Sequence, residues 1–537
     1  MKKIFLSIAL LCAASWVAPT VATAQNLVPI PLKMASAQGQ PLVWQNVGQI
    51  NCPDELANEK AHLLRILADR AGITTLNDNG TAQITLSIDT SLNDDEAYTL
   101  SIDENGVNIA GKTAAGVFYG IMTMEQLMID DNASARCIET NPITIEDAPR
   151  THVRELMVDP CRIFVPYERL KEIVPEMARY KLNSIHLHLV DDQAWRIEIK
   201  KYPQLIEKST SRVGMDDMLI PISGYYTQEQ MKDFVKYCAQ YHVMVVPEIE
   251  MPGHEVAAIH AFPELTCGGK QVPIRTTCGV SNELLCPGNE FTYEFLGNVF
   301  RELADVFPCK YVHLGGDEAG NPALDCWTTC EKDKKLKKEL GITTTERSEN
   351  WKLQKYMFDR IIDTLRTKYD KVPMFWYETD FKEIQEGCVT FAWRNGLTEP
   401  AVQAAIDNNA KIMMCPGDYC YFDYPMASGD MPEVNWGMPV RTFETVYQFD
   451  PGWGKGEEFE KNNLFGVAGT LWSESINSPE RIFYQAYPRS LILAEAGWSA
   501  QKNRSWKGFL KRSRPLMLDL QHRGITFSMP TEYIDLQ

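Results

Sequence analysis

Beyond about residue 150, short apolar segments alternate with amphipathic segments of helical period. The predicted strands are 154–158, 184–190, 243–249, 311–314, 372–376, 388–393, 411–415 and 466–472. Helical patterns lie between most of them, at 167–180, 228–241, 290–307 and 351–369, although the stretch after the seventh strand is irregular. Eight such units in roughly 350 residues predict an α/β protein built on a parallel (β/α)8 TIM barrel. The alternative is a doubly wound open sheet, which usually has fewer strands and a glycine-rich phosphate turn that this sequence lacks.

Residues 25–148 follow a different pattern. Apolar and polar residues alternate over 82–89, 98–102 and 106–110, and apolar residues then recur at helical spacing over 113–128. This pattern predicts a small α+β domain in which helices cover a sheet. The chain is therefore divided into a leader (1–24), an α+β domain (25–148) and a barrel with a C-terminal helix (149–537).

The first 24 residues have the features of a secretory signal peptide. Residues 1–3 are basic at two positions, residues 4–17 are apolar, and residues 22–24 form an A-x-A cleavage site. We therefore expect an exported protein that is periplasmic, cell-surface or secreted. Cys12 leaves lipoprotein anchoring open, although Leu11 before it fits a lipidation site poorly. No other apolar run is long enough to span a bilayer, so we predict no transmembrane segment.

The charge and the cysteines limit the partners further. The formal charge of −18 argues against nucleic acid or an anionic membrane as partner. Apart from Cys12, the chain has thirteen cysteines, with close sets at 267, 278 and 286, at 326 and 330, and at 415 and 420. Because there is no paired C-x-x-C and few histidines lie nearby, we favour a loop disulfide within the first set over a metal site. We predict no metal and no cofactor, and the oligomeric state stays open.

The residues at the predicted strand ends are rich in carboxylates, histidines and tryptophans. They are Asp159, Arg162, His186, His188, Asp191, Asp192, Trp195, Glu248, Glu250, His254, Asp317, Glu318, Trp376, Tyr377, Glu378, Trp393, Arg394, Asp418, Tyr421, Asp423, Trp472 and Glu474. In a barrel these ends meet at one face, which carries the active site. Four tryptophans beside carboxylates and an arginine predict a sugar site, because pyranose faces stack on indole and hydroxyls bind charged groups. The histidines leave a metal site as an alternative, but we favour histidines that orient the carboxylates.

The pair Asp317-Glu318 stands out among these residues. It follows a buried strand and two glycines, Gly315 and Gly316. Adjacent carboxylates repel each other, and burial raises the cost of charging each one. A chain that places them there is expected to use them in chemistry.

Taken in order, these motifs resemble the exo-acting β-N-acetylhexosaminidases of glycoside hydrolase family 20. The central motif is His313-Leu314-Gly315-Gly316-Asp317-Glu318. The others are R-x-L-M-V-D-x-x-R from Arg154, H-L-H-L-V-D-D-Q-x-W-R from His186, P-E-I-E-M-P-G-H from Pro247, Y-F-D from Tyr421 and L-W-S-E from Leu471, with Trp376 and Trp393. In the first domain, Glu96-x-Tyr98 and Gly116-x-x-Tyr119-Gly120 are similar to the domain that precedes the family's barrel.

The resemblance implies a role for each matching residue. Glu318 would be the general acid and later the base, and Asp317 would orient the substrate's acetamido group, whose carbonyl oxygen is the nucleophile and forms an oxazolinium ion. The implied substrate-binding residues are Arg162, Asp191, His254, Trp376, Trp393, Tyr421, Asp423, Trp472 and Glu474. Glu250 would support Glu318, although many relatives carry Asp at that position. Cys267 and Cys286 match positions that are bridged in some relatives, and Cys278 between them leaves the pairing open.

The implied activity is the release of terminal β-linked GlcNAc or GalNAc from non-reducing ends of glycans, with retention of configuration. Two alternatives stay open at this point. One is a glycan-binding barrel without catalysis, and the other is a conventional retaining glycosidase with Glu248 or Glu474 as nucleophile. The preferred sugar, the linkage and the aglycone are not fixed by these motifs.

Overall fold

The computed structural model describes residues 26–130, 136–215, 218–319, 326–342, 349–378, 383–430, 437–474, 476 and 478–536. The predicted signal peptide, residues 1–24, lies outside the described residues and stays a prediction. Among the described residues, none of the helices combines the length and the apolar character needed to cross a membrane.

The N-terminal unit is an α+β domain, as predicted, and consists of a six-stranded sheet with two helices. Its strands are β1 (Lys33–Ser36), β2 (Val47–Asn51), β3 (Ala82–Ile88), β4 (Tyr98–Asp103), β5 (Gly106–Gly111) and β6 (Ile143–Asp147), and its helices are α1 (Ala57–Ala71) and α2 (Ala114–Leu127). The sheet order is β1-β6-β4-β5-β3-β2. Strands β4 and β5 are joined by a turn at Asn105-Gly106, where Gly106 has φ +139°.

The glycine and tyrosine motifs of this domain have a packing role. Gly120 on α2 lies against the ring of Tyr98 and the side chain of Ile109, and a Cβ at Gly120 would come within 2.5 Å of Ile109. The small residue therefore allows the helix to approach the sheet closely. The Tyr98 hydroxyl donates to Asp147 at 2.7 Å, so the motif also orients a buried carboxylate.

The second unit is a closed barrel of eight parallel strands. They are β7 (Val153–Val158), β8 (Ser184–His188), β9 (Met244–Glu248), β10 (Tyr311–His313), β11 (Val372–Trp376), β12 (Val389–Ala392), β13 (Lys411–Met414) and β14 (Leu464–Leu471). Neighbouring strands pair in sequence order, and β14 pairs with β7 to close the barrel. All eight predicted strands are confirmed, and the open-sheet alternative is wrong.

Helices surround the barrel strands. They are α3 (Tyr167–Arg179), α4 (Gln204–Ser209), α5 (Gln228–Ala239), α6 (Val256–Ala261), α7 (Glu290–Val306), α8 (Cys326–Thr329), α9 (Glu331–Glu339), α10 (Trp351–Tyr369), α11 (Thr398–Asp407), α12 (Phe443–Tyr447), α13 (Glu457–Asn462), α14 (Arg481–Ala486), α15 (Arg489–Trp498) and α16 (Trp506–His522). The four predicted helices correspond to α3, α5, α7 and α10. In the irregular stretch after the seventh strand, the described residues form two short helices, α12 and α13.

The two units are joined by buried polar contacts. The guanidinium of Arg154, fully buried on β7, contacts Glu96 at 2.6 Å and also donates to the backbone carbonyls of Lys181 and Thr151. On the other side, Asp147 accepts from the indole of Trp498 at 2.9 Å as well as from Tyr98. Buried polar groups of this kind stabilise one arrangement of the two units, because a buried polar group that is left without a partner costs free energy.

We expect Arg154→Ala to destabilise the protein by about 3–5 kcal/mol, because it leaves Glu96 and two carbonyls without their partner. Urea unfolding followed by tryptophan fluorescence measures the loss. The control is Lys33→Ala, which breaks a salt bridge to Glu146 between side chains 69% and 62% exposed and costs less than about 1 kcal/mol. Equal shifts of the two midpoints would contradict a stabilising interface.

Candidate active site

The turn after β10 places the paired carboxylates and has an unusual backbone. Gly315 and Gly316 have φ of +62° and +103°, and Glu318 itself has φ +57°. A Cβ on Gly315 would lie 1.6 Å from Glu250 Oε2, and one on Gly316 would lie 2.7 Å from the ring of Phe358. Both glycines are therefore required for steric as well as conformational reasons. A left-handed glutamate costs free energy, and such strain is concentrated at functional sites.

Both carboxylates face a single imidazole. His254 Nε2 lies 3.5 Å from Asp317 Oδ2 and 3.4 Å from Glu318 Oε2, and its Nδ1 lies 3.2 Å from Asp191 Oδ1. His254 also has a left-handed backbone, with φ +54°. Three carboxylates around one ring raise the pKa of His254 well above its usual value, in spite of the opposing effect of burial.

The pKa values of the two catalytic candidates, Asp317 and Glu318, shift in opposite directions. Burial raises the pKa of Asp317 to about 6, with the charge of Glu318 adding to the shift and His254 opposing it. Burial also acts to raise the pKa of Glu318, but the hydrogen bond and charge of His254, followed by Arg394, outweigh it and lower that pKa. The ligand-free pair therefore carries its proton preferentially on Asp317.

A cluster of charges forms one side of the pocket. The guanidinium of Arg162 contacts Asp191 at 2.6 Å, Asp159 at 3.2 Å and Glu474 at 3.7 Å. Arg162 and Asp191 are almost fully buried, whereas the side chain of Glu474 is 18% exposed. One arginine among three carboxylates leaves spare acceptors, which suits the recognition of several hydroxyl groups.

The floor of the pocket is built on Glu248. Its carboxylate lies 2.7 Å from Trp376 Nε1, 2.7 Å from His313 Nδ1 and 2.5 Å from His188 Nδ1. His186 Nε2 lies 3.1 Å away. These contacts fit the prediction of histidines that orient carboxylates. The groups are close enough to hold a metal ion, but the Glu248 carboxylate is already hydrogen-bonded to Trp376 and His188.

Three tryptophans and two tyrosines form the apolar walls. The rings of Trp376 and Trp472 are 5.7 Å apart, and Tyr421 stacks on Trp472 at 6.3 Å and on Tyr424 at 5.5 Å. The Trp393 indole donates to the backbone carbonyl of Tyr377 at 3.0 Å, which fixes its orientation. The walls and the charged groups enclose a pocket of about 680 Å³.

Ten of the twelve residues predicted for the site line this pocket. They are Arg162, His254, Asp317, Glu318, Trp376, Trp393, Tyr421, Asp423, Trp472 and Glu474. The other two, Asp191 and Glu250, are buried behind it. The placement of Trp195 at the mouth was wrong, because Trp195 is fully buried, packs on Phe295 and donates to the carbonyl of Ile197.

Glu250 lies behind the glycine turn. Its Oε2 accepts from the backbone N–H of Gly316 at 3.2 Å. Burial, together with the charges of Asp317 and Glu248, raises the pKa of Glu250 well above its usual value. Glu250 thus contacts the backbone N–H that precedes Asp317. Its predicted role in supporting Glu318 stays a prediction.

Sequence reasoning placed Glu378 and Arg394 among the strand-end residues but assigned neither of them a catalytic or substrate-binding role. Glu378 Oε1 accepts from the backbone N–H of Glu318 at 3.0 Å, and its other oxygen pairs with Arg394 at 3.0 Å. Arg394 lies 3.9 Å from Glu318 and lines the pocket. The position of both residues just beyond strands β11 and β12 was the available signal. By contrast, Cys278, Gly279 and Val280 reach the pocket from a long loop after β9, and no motif pointed to them.

The predicted loop disulfide is not present in the structure. Cys267 and Cys286 carry thiols that face Asp333, at 3.0 and 3.4 Å. The Sγ of Cys286 also lies 3.8 Å from the Sγ of Cys330. Cys278 lies apart from them at the pocket wall.

Comparisons with known proteins agree with this architecture. Residues 152–501 match the family described as "Glycosyl hydrolase family 20, catalytic domain", and residues 24–148 match "Glycosyl hydrolase family 20, domain 2". A β-hexosaminidase of Akkermansia muciniphila is 35% identical over 460 residues, which cover 85% of this chain and 87% of that protein.

Solved structures are similar over nearly the whole chain. A crystal structure of a β-N-acetylhexosaminidase has a TM-score of 0.79 at 30% identity, covering 93% of this chain and 96% of that one. An exo-β-N-acetylglucosaminidase from Vibrio harveyi in complex with N-acetylglucosamine has a TM-score of 0.81 at 27% identity, covering 96% and 80%.

We expect Gly315→Ala to destabilise the protein through two separate costs. The left-handed backbone costs about 1–2 kcal/mol for alanine, and the clash with Glu250 adds about 1–3 kcal/mol. Gly341→Ala is the matched control, because Gly341 has φ +68° but nothing within 4 Å of its Cβ position. Urea unfolding compares the two, and equal losses would show that Glu250 does not pack against the turn.

Proposed function

The chain belongs to glycosyl hydrolase family 20 and is an exo-acting β-N-acetylhexosaminidase, and from this premise we propose how its residues carry out the reaction. Enzymes of this family use substrate-assisted catalysis, in which the acetamido oxygen of the substrate attacks its own anomeric carbon. The observation that carries the assignment is that Asp317 and Glu318 both contact His254 at the floor of an aromatic pocket.

In the proposed mechanism, Glu318 protonates the leaving oxygen and then activates water. Asp317 accepts a hydrogen bond from the acetamido N–H and stabilises the oxazolinium ion by its charge. Tyr421 donates to the acetamido oxygen, and Trp376, Trp393 and Trp472 enclose the acetamido group and one sugar face. The pocket is lined at the same time by groups suited to the sugar hydroxyls, namely Arg162, Asp423 and Glu474.

In this proposal, substrate binding itself moves the proton of the Asp317–Glu318 pair from Asp317 to Glu318. In the free protein the pKa of Asp317 is raised and that of Glu318 is lowered. A bound acetamido N–H stabilises the charged form of Asp317, and a sugar over the 26% exposed Glu318 side chain excludes its remaining water. Both effects move the proton to Glu318, where general acid catalysis requires it.

A protein nucleophile is disfavoured by the same geometry. Glu248 is fully buried beneath Trp376 and does not line the pocket. Glu474 does line it, but burial raises its pKa, which reduces its nucleophilic form, and it lies near Arg162. A binding protein without catalysis would have no need for a strained carboxylate pair.

The substrate class is a glycan that ends in a β-linked N-acetylhexosamine. The Vibrio harveyi relative is described in complex with N-acetylglucosamine, and we propose that this chain binds the same sugar in the 680 Å³ pocket. Asp423 is buried, and burial raises its pKa well above the usual value. A protonated Asp423 can donate a hydrogen bond to a sugar hydroxyl as well as accept one.

Glu318→Gln is expected to lower kcat/KM by about 10²–10⁴-fold on a β-GlcNAc glycoside with a poor leaving group, because the acid is lost. The loss in kcat/KM, which reports the steps up to release of the aglycone and not the later attack of water, is expected to be much smaller with a dinitrophenyl leaving group, which needs no proton. Glu264→Gln, at an exposed glutamate in the loop after α6, is the control and retains activity. Equal losses on both substrates would contradict the acid role.

The internal nucleophile has its own test. Replacing the N-acetyl group by mono-, di- and trifluoroacetyl groups withdraws electrons from the attacking oxygen, so kcat/KM is expected to fall stepwise along the series. A series without this trend, or a covalent adduct on Glu474 with a 2-fluoro sugar, would instead support a protein nucleophile.

The pH dependence follows from His254. The active free enzyme carries one proton on the Asp317–Glu318 pair, so the plot of kcat/KM against pH is expected to be bell-shaped. Its alkaline limb is expected near pH 6, because the pair loses its last proton from Asp317, whose pKa burial raises to about 6. The charge of His254 lowers the pKa of both carboxyls. His254→Gln is therefore expected to move both limbs to higher pH, whereas His152→Gln, before β7 at the opposite end of the barrel, leaves them unchanged. A profile that keeps its limbs in His254→Gln would exclude this coupling.

A further inference from the structure

A group of thiols lies outside the catalytic pocket, between the loops that follow β9 and β10. It consists of Cys267, Cys286 and Cys330 with the carboxylate of Asp333, and we call it the thiol cluster. Cys267 and Cys286 come from the loop after β9. Cys330 immediately precedes α9, and Asp333 lies in its first turn. The proposed mechanism uses none of these four side chains.

The spacing of the ligand atoms is that of a metal site. All four lie within 4.8 Å of one another, and Cys286 Sγ and Cys330 Sγ are 3.8 Å apart. Tetrahedral zinc with bonds of about 2.3 Å to sulfur places its sulfur ligands about 3.8 Å from each other. A disulfide requires a separation of about 2.05 Å. The observed separation therefore matches an edge of a zinc tetrahedron.

The carboxylate of the cluster is buried, and no basic side chain among the described residues forms a salt bridge with it. Asp333 is 0% exposed, and its Oδ1 accepts from the backbone N–H of Gly288 at 2.7 Å. Its other contacts are the thiols of Cys267 and Cys286, and the salt bridges among the described residues include none to Asp333. A buried carboxylate that keeps its charge is stabilised by a positive partner, which offsets its desolvation, and a bound cation would provide one.

The backbone packs closely around the cluster. The backbone N–H groups of Lys332 and Asp333 lie beside the Cys330 thiol, and such contacts orient metal ligands. Gly288 allows the two loops to meet, because a Cβ there would lie 2.5 Å from the backbone of Lys332. Cys326 contacts the thiol of Cys267 but lies outside the group of four.

We propose that the thiol cluster binds one Zn²⁺ in a closed, structural site, with three thiolates from Cys267, Cys286 and Cys330 and the Asp333 carboxylate as ligands. Binding releases the three thiol protons to solvent, and no redox change is involved. The site joins the loop that carries Cys278 to Val280 at the pocket wall to the segment that follows the catalytic turn. The sequence alone predicted no metal, because the ligands come from two loops separated by up to 66 positions rather than from a paired motif.

Metal analysis of the full-length or mature protein, purified without chelator or reductant, is the first test. We expect about one zinc per chain by mass spectrometry, released when an organomercurial reagent titrates the thiols. Cys330→Ser and Asp333→Asn are expected to lose most of the zinc. Cys137→Ser is the matched control, since Cys137 is a half-buried thiol in the other domain, and Cys326→Ser is also expected to retain zinc.

A second measurement uses the wild-type protein, so that misfolding of a variant does not decide the result. Replacement of zinc by Co²⁺ is expected to give the visible bands of a tetrahedral ion and a thiolate charge-transfer band in the near ultraviolet. Two results would overturn the proposal: wild-type protein that holds neither zinc nor cobalt, or unreduced peptides in which these cysteines are joined by disulfides. Zinc lost in Cys326→Ser but kept in Asp333→Asn would overturn the assignment of Asp333 as the fourth ligand.

Discussion

The buried carboxylate of Glu248 connects the barrel core to the floor of the pocket and, through His188 and Asp191, to its charged side. It accepts from the Trp376 indole, which forms the floor, and lies against three histidines. Burial acts to raise the pKa of Glu248, but His313, His188 and His186 together lower it well below its usual value. His188 contacts Asp191 at 2.7 Å, and Asp191 in turn contacts Arg162 and His254. A chain of polar contacts thus extends from the barrel axis to His254, whose Nε2 lies 3.4 Å from Glu318 and 3.5 Å from Asp317, and the low dielectric of the interior strengthens such contacts.

The network around Glu248 supports the catalytic turn, which has a strained backbone. Two glycines and a left-handed Glu318 reverse the chain directly after β10, while Glu250 and Glu378 accept the N–H groups of Gly316 and Glu318. These carboxylates replace the hydrogen bonds that a regular strand or helix would have supplied. Buried acids therefore have two uses here. Some are assigned to react with the substrate, and others fix the backbone on which the reacting acids stand.

The sequence predicted the barrel because its signal is local. Each strand is a short apolar run and each helix has its own period, so Val372–Trp376 was predicted to the residue. The strand-end rule likewise brought distant residues such as Arg162 and Glu474 to one face. It failed for Trp195, which follows β8 but turns into the helix layer against Phe295. Long loops were beyond prediction, because no periodicity fixes where Cys278 or Asp333 lies in space.

In the proposed mechanism, the free-state protonation of the pair also contributes to selectivity. A substrate without an N-acetyl group supplies no internal nucleophile, and it also supplies no N–H to stabilise the charged form of Asp317. The proton would then stay on Asp317, whose pKa burial raises to about 6, and Glu318 would remain without it. A plain glucoside that makes the same hydroxyl contacts is therefore a poor substrate for both of these reasons. The acetamido group acts as both a reactant and the signal that places the proton, and this follows from the charges that the barrel arranges around His254.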